Sequence, residues 1–161
     1  MRGVSNRVES ARPATEADLG RVVELAELLA VELTPTRGGA LWALREAPAT
    51  PFADHYAGRL VDPDAIVVVG LIDDQVIGFA VAVVEPLRDG STLARIDDLF
   101  VERDARAVGV GECLGEAVVA WARGRGCRGI DACALPGNRA AKNFFETHGF
   151  VARAIVMHRP L

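Results

Sequence analysis

Residues 94–125, ARIDDLFVERDARAVGVGECLGEAVVAWARGR, constrain the fold more than any other stretch of the chain. Ile96, Leu99, Phe100 and Val101 are apolar and interrupted only by Asp97 and Asp98, which predicts a strand. A short charged loop follows, and Arg106, Gly109 and Gly111 then lead into a helix. Val110, Leu114, Ala117, Val118 and Trp121 recur at helical spacing and give that helix one apolar face. Gly124 and Gly126 end it. A strand that passes through a glycine-bearing turn into a helix N-terminus makes an anion site. Backbone N–H groups converge there, the helix dipole contributes roughly half a positive charge, and the missing side chains admit a phosphate. Arg106 adds a guanidinium at the rim. The expected ligand carries phosphate, in the first place pyrophosphate.

Other phosphate motifs fit less well. Asp131 lies 20 residues after Gly111, where a dinucleotide site places its ribose-binding acid. That motif also needs a tight turn directly after the strand, whereas Gly109 comes eight positions after Val101. Leu114 occupies its third glycine position. A Walker-type loop needs a Gly-Lys pair, and Lys142 is the only lysine.

The stretch resembles motif A of the GNAT N-acetyltransferase superfamily, in which an Arg/Gln-x-x-Gly-x-Gly/Ala loop after the fourth strand cradles the pyrophosphate of acetyl-CoA. Arg106, Gly109 and Gly111 match it at each specified position. Asn138-Arg-Ala-Ala-Lys-Asn-Phe144-Phe145-Glu146-Thr-His-Gly149-Phe150 is similar to motif B of the same superfamily through Asn138, Ala141, Phe144, Glu146, Gly149 and Phe150. The opening phrase ARPATEADLGRVVEL also looks like the usual start of such a domain, so the resemblance covers most of residues 8–159.

The bulk numbers bound the reading. At 161 residues the chain is long enough for one domain with a substantial core, and half its residues are hydrophobic. A net charge of −4 speaks against nucleic acid as a partner and is compatible with a cationic substrate. Cys113, Cys127 and Cys133 form no C-x-x-C pair, so structural zinc or a disulfide framework is not expected and a reducing cytoplasm fits. The first ten residues have no apolar core of a signal peptide, and the apolar run 65–72 is too short to span a bilayer.

Taken in order, residues 1–6 are expected to form a frayed tail and residues 8–14 a first strand. Thr15 and Asp18 have the form of a capping box, with Asp where Glu or Gln is usual. Leu19, Val22, Val23, Ala26, Leu29, Ala30 and Leu33 trace one face of a helix. Residues 34–51 are broken by proline and glycine, with a helical turn near 41–46, and 52–60 form a short helix. Residues 65–72 read as a central strand, Asp73-Asp74 as a hairpin turn and 76–84 as the return strand. After the long helix, 129–135 form a fifth strand, Asn138 caps a helix that Gly149 ends, and 150–159 form a last strand. The fold class is α+β (mixed α/β) in the order β-α-α-β-β-β-α-β-α-β. The resemblance implies a mostly antiparallel twisted sheet with helices on both faces and strands four and five splayed apart, spanning residues 1–161 as a single domain.

The same resemblance implies a site. Leu99, Phe100 and Val101 would pair with the pantetheine arm of acetyl-CoA, and a main-chain N–H there, assigned to Val101, would hold the thioester oxygen as charge develops. Arg106, Ala107, Val108, Gly109, Val110, Gly111 and Glu112 would surround the pyrophosphate, and Asn138, Ala141 and Phe145 would contact the rest of the cofactor. Many members carry tyrosine where this chain has Phe145, and use its hydroxyl to protonate the departing thiolate. Phenylalanine cannot, and the only tyrosine is Tyr56. Side chains alternate along a strand, which sends Asp97 and Asp98 to opposite faces. Diamine acetyltransferases have a similar acidic pair, which favours Asp97 as the catalytic carboxylate at the acceptor, with Asp98, Glu85, His55 or water as alternatives. The expected activity is transfer of acetyl from acetyl-CoA to a small-molecule amine or protein amino group by direct attack, without metal, nucleic acid or membrane, with a homodimer as the assembly allowed for. The competing expectation is an acyl-CoA-binding module on the same fold that does not catalyse.

Overall fold

A computed structural model describes residues 8–161, so the expected N-terminal tail lies outside the described residues. Strand β1 (Glu9–Pro13) leads through a 3-10 turn into helix α1 (Leu19–Leu33). Helices α2 (Gly39–Arg45) and α3 (Phe52–Val61) follow, one more than the sequence order allowed for. Strands β2 (Ala65–Ile72), β3 (Gln75–Pro86) and β4 (Thr92–Val101) come next, then α4 (Val110–Gly124), β5 (Ile130–Ala132) and α5 (Arg139–Thr147). The five strands form one sheet in the order β1-β2-β3-β4-β5. All neighbours are antiparallel except β4 and β5, which the α4 crossover makes parallel.

The strand pattern divides the core into two layers. Val67, Val69, Phe79, Val81 and Phe100 face α1 and α3, where Val22, Leu25, Leu29 and Tyr56 cover them. Val68, Ala80, Ala82, Ile96 and Val101 face α4, where Val110, Leu114 and Val118 cover them. Burying each of the valine, leucine and isoleucine side chains among these contributes about 1.5–3 kcal/mol. The close seating of α4 requires glycine in the sheet. Gly70 and Gly78 face each other across β2 and β3. A Cβ at Gly70 would stand 2.5 Å from Val110 Cγ1, and one at Gly78 would stand 2.7 Å from the Phe100 carbonyl oxygen. Gly70 therefore admits the first turn of α4, and Gly78 admits the close approach of the β4 backbone.

Asp18 secures the entry to α1. Its carboxylate accepts from Thr15 N–H at 2.8 Å and from Arg12 Nη1 and Nη2 at 2.7 and 3.0 Å. The Arg12 guanidinium above all holds the Asp18 carboxyl down to about 2.

Two expectations at the C-terminal end are corrected. Strand β5 is three residues long instead of seven, and residues 150–159 form no strand. The alternation of Val151, Ile155 and Met157 suits a strand, but a strand needs a neighbour's backbone groups. Beyond Phe150, the backbone makes no hydrogen bond to the described residues. An Arg153–Asp131 ion pair holds the segment near β5 while Val151, Ile155, Val156 and Met157 stay exposed.

Candidate active site

The end of β4 and the start of α4 make the site from backbone. Pairing of β4 with β5 runs only from Ala94–Ile130 to Ile96–Ala132, although β4 continues to Val101. The two parallel strands thus part beyond Ile96 and leave a gap. Glu102 N–H bonds the Ile77 carbonyl of β3 at 2.9 Å. Backbone groups alternate in direction along a strand, so the N–H and C=O of Val101 face the gap. Arg106 Nε takes that carbonyl at 2.8 Å, which leaves the Val101 N–H directed at the gap.

The loop that follows is held in a special conformation. Ala107 has φ +68° and Gly109 has φ +94°, both in the left-handed region. Left-handed residues between ordinary ones turn successive N–H groups toward a common point and create an anion-binding concavity. Alanine adopts this conformation at a cost of roughly 1–2 kcal/mol. Gly109 is the residue before α4, and no side chain among the described residues caps the helix start. The first N–H groups of α4 and the positive end of its dipole are therefore available to an anion. At Gly111 the Phe144 ring of α5 packs over α4, 3.4 Å from where a Cβ would stand, an ordinary van der Waals contact.

These parts surround one cleft of about 330 Å³. Of the residues expected from sequence, Leu99, Phe100 and Val101 line it from β4. The loop and helix start supply Arg106, Ala107, Gly109, Gly111 and Glu112, and α5 supplies Asn138, Ala141 and Phe145. Three expected residues do not line it. The Val110 side chain is 1% exposed and belongs to the core beneath α4, Val108 packs against the same core, and Asp97 lies further back on β4. The cleft also takes Leu29 and Glu32 from α1, and Ala140 and Phe144 from α5. The aromatic pair of motif B signals Phe144 in the sequence. Nothing signals Glu32, because an acid on a helix is ordinarily a solvated one.

Arg106 is more committed than its place in the motif suggests. Its Nη1 and Nη2 donate to the two Glu32 carboxylate oxygens at 2.8 Å each, and its guanidinium carbon lies 5.4 Å from the Phe100 ring centre. The hydrogen bonds from Arg106 outweigh partial burial and hold the Glu32 carboxyl below the usual carboxylate range.

The acidic pair is arranged differently from strict alternation. Val81 of β3 pairs with Asp98 and Ala82 with Ile96, so Asp97 is an extra residue in a β-bulge. The bulge resets the alternation, and both carboxylates reach α3. Asp97 accepts from Arg95 Nε at 2.6 Å and from Arg59 Nη2 at 3.4 Å. Arg95 also pairs with Glu85, and the buried Nε of Arg59 has no hydrogen-bond partner among the described residues. Asp98 is 5% exposed and accepts from the Tyr56 hydroxyl at 3.1 Å. Burial pushes its carboxyl up to about 7, against the opposing pull of the Tyr56 hydrogen bond. Burial first, and then Asp98, drive the Tyr56 hydroxyl far above its ordinary value. His55 stacks edge-on against Tyr56 with ring centres 4.9 Å apart, and burial lowers its pKa. Tyr56 is thus bound into the α3–β4 contact and is not a lining residue of the cleft.

Phe145 takes the place of a tyrosine in that lining. Its ring packs 5.1 Å from Phe150 and 5.5 Å from Phe144, and it presents no donor.

Comparison with known proteins agrees with this architecture. Residues 25–150 match the acetyltransferase (GNAT) family. An aminoglycoside N(6')-acetyltransferase type 1 from Klebsiella aerogenes is 29% identical over 114 residues, a match that covers 68% of this chain and 75% of that protein. Among solved structures, a tetramutant of a Bacillus halodurans protein has a TM-score of 0.80 at 21% identity, with 94% of this chain and 99% of that one covered. An aminoglycoside acetyltransferase from an uncultured soil metagenomic sample, solved with trehalose, has a TM-score of 0.70 at 20% identity, covering 99% and 98%. These two structures share the fold. The family match spans most of the chain, and it meets the strand gap and glycine loop in the same segment: the chain belongs to the acetyltransferase (GNAT) family and is an N-acetyltransferase.

Proposed function

We propose that this chain transfers an acetyl group from acetyl-CoA to a primary amine, by direct attack while both substrates are bound. The observation that carries the reading is the uncapped start of α4 behind Ala107 and Gly109, opening directly onto the gap beside Val101. This arrangement suits acetyl-CoA in both its parts. The loop and the first α4 N–H groups would hold the pyrophosphate, and the unpaired edge of β4 at Leu99 and Val101 would hold the amide-bearing arm. Bound acetyl-CoA supplies an activated acyl group.

The chain's own residues would do the rest. The Val101 N–H, already directed into the gap, would donate to the thioester carbonyl oxygen as it gains negative charge. Such a donor contributes about 2.7–4 kcal/mol to the transition state. Asn138 and Ala141 would line the arm from α5. An amine acceptor arrives protonated and must shed a proton before it attacks. Asp97 stands at the point where β4 leaves β5, and its carboxylate is the proposed contact for the incoming ammonium. Asp98, kept near 7 by burial, is the neighbouring carboxylate able to change its protonation state at neutral pH. No tyrosine hydroxyl lines the cleft. The thiolate, with a reference pKa near 8.5, would leave with a proton from water or from the acceptor ammonium itself.

A cationic acceptor is favoured by the net charge of −4 and the two carboxylates of β4. Amino sugars of the aminoglycoside class head the candidates because of the Klebsiella relative, with diamines and protein N-termini behind them. The exposed side chains of Val151, Ile155, Val156 and Met157 support a homodimer, which light scattering would detect. Three unpaired thiols favour a cytoplasmic setting.

Calorimetry with CoA, followed by thiol release from acetyl-CoA over an amine panel, tests the reading. Binding together with amine-dependent release supports it. Binding without release on any amine favours a CoA-binding module instead.

A further inference from the structure

Glu32 of α1 touches the phosphate loop, and no motif accounts for it. Its carboxylate fills the bidentate face of Arg106, the one guanidinium that lines the cleft among the described residues. Planar bidentate pairing is also how a guanidinium takes a phosphate. An anion at the start of α4 would therefore meet Arg106 already occupied, and would meet the Glu32 charge besides. Arg106 does not need Glu32 to keep its place, because Nε stays on the Val101 carbonyl at 2.8 Å and the guanidinium rests against Phe100. Glu32 in turn has a second cation within reach, since Arg103 Nη2 lies 4.0 Å from its carboxylate.

We propose that Glu32 is a built-in competitor for the phosphate site, a carboxylate that occupies Arg106 until the diphosphate of the acetyl donor displaces it toward Arg103. The inference rests on the acetyl-CoA reading and deepens it by naming a residue that sets donor affinity. It also ties donor binding to α1, whose C-terminal end leads into the segment carrying α2. Glu32 is a positioning residue in this account, because it acts through Arg106 and not on the reacting atoms.

Two charge effects have the same sign when Glu32 loses its charge: repulsion of the diphosphate falls, and the Arg106 fork becomes available. Glu32→Gln should tighten CoA about three- to fivefold, the scale of one partly exposed ion pair. The gain should shrink with added salt. It should be absent for pantetheine, which has no diphosphate, and smaller when Glu32→Gln is made in an Arg106→Ala background, where only the relief of repulsion is left. Under turnover it should appear as a lower KM for acetyl-CoA at unchanged kcat. Glu32→Asp keeps the charge and should stay near the wild-type affinity, and a thermal melt of each variant checks that the fold is intact.

The outcomes separate cleanly. If wild-type protein binds no CoA, the acetyl-CoA reading and this inference fall together. If wild-type protein binds CoA but a folded Glu32→Gln variant binds it equally or more weakly, the inference alone is overturned, and Glu32 holds the loop in place. A gain that extends to pantetheine, or that is undiminished by Arg106→Ala, likewise overturns it.

Discussion

Two regions of one strand build their chemistry in opposite ways. At the C-terminal end of β4, the polypeptide backbone makes the site: the Val101 N–H, the left-handed Ala107 and Gly109, and the uncapped start of α4. Four residues earlier, side chains make it: Asp97 clamped by Arg59 and Arg95, and Asp98 buried against Tyr56. The first region asks for small residues and tolerates little else. The second asks for charge balance and a bulge, and its neighbours on α3 decide how each carboxylate behaves. The proposed donor site, which must fit one shape, and the proposed acceptor site, which is open to tuning, thus share a single strand.

The comparison predicts that the two regions break differently. Asp97→Asn keeps the size and removes the charge. It should lower the acetylation rate by about 10²–10⁴-fold, the range for losing a general base, and leave CoA affinity unchanged. Activity should recover toward high pH, where more amine is already deprotonated. A steady-state pH profile measures this, and full rate in the variant at all pH values would move the base elsewhere on the α3–β4 contact. Gly109→Asp should do the reverse, abolishing CoA binding in calorimetry with a loss of about 100-fold or more. It puts a side chain where φ is left-handed, although aspartate tolerates that region better than most residues, and it sets a carboxylate in the space the diphosphate is proposed to occupy at the start of α4.

Asp98 and Asp18 sharpen the contrast through pH. The folded-state pKa of Asp98 is raised, so its contribution to stability is complete in acid and is lost as pH climbs from about 4 to about 7. Asp98→Asn should flatten that limb of the stability curve, since an amide oxygen still accepts from Tyr56. For Asp18, whose pKa is depressed to about 2, the sign is opposite, and its contribution is lost as pH falls through that value from about 4. Asp18→Ala should destabilise the protein by about 1 kcal/mol in urea titrations at pH 7, through loss of the cap and of the Arg12 pair. The smallest effect belongs to Phe145→Tyr. The ring packs among Phe144 and Phe150 with room to line the cleft, so the rate should stay within a few-fold of wild type or rise.

How much was legible in the sequence follows the same division. A backbone-built site leaves a spacing, and Arg106, Gly109 and Gly111 with Asn138 and Phe145 lead to the lining residues of the cleft. Val108 and Val110 share that spacing yet turn their side chains into the core, because a motif marks backbone positions and does not say where side chains go. The bulge at Asp97 was not legible, since two adjacent acids read the same in a regular strand as in a bulged one. Glu32 was not legible because its partner lies 74 residues away. The segment after Phe150 misled for a related reason. Its apolar alternation is a genuine strand signal, but β5 spans three residues and bonds none of its backbone groups.

The central claim is that backbone N–H groups at the loop and the start of α4 hold the donor's diphosphate. Amide proton and nitrogen resonances recorded while CoA is titrated into the protein address it directly. The account predicts that the amides of residues 107–112 shift most, that pantetheine leaves them nearly still, and that Val101 responds to both. Saturable CoA binding that leaves residues 107–112 unmoved while amides elsewhere shift would contradict it.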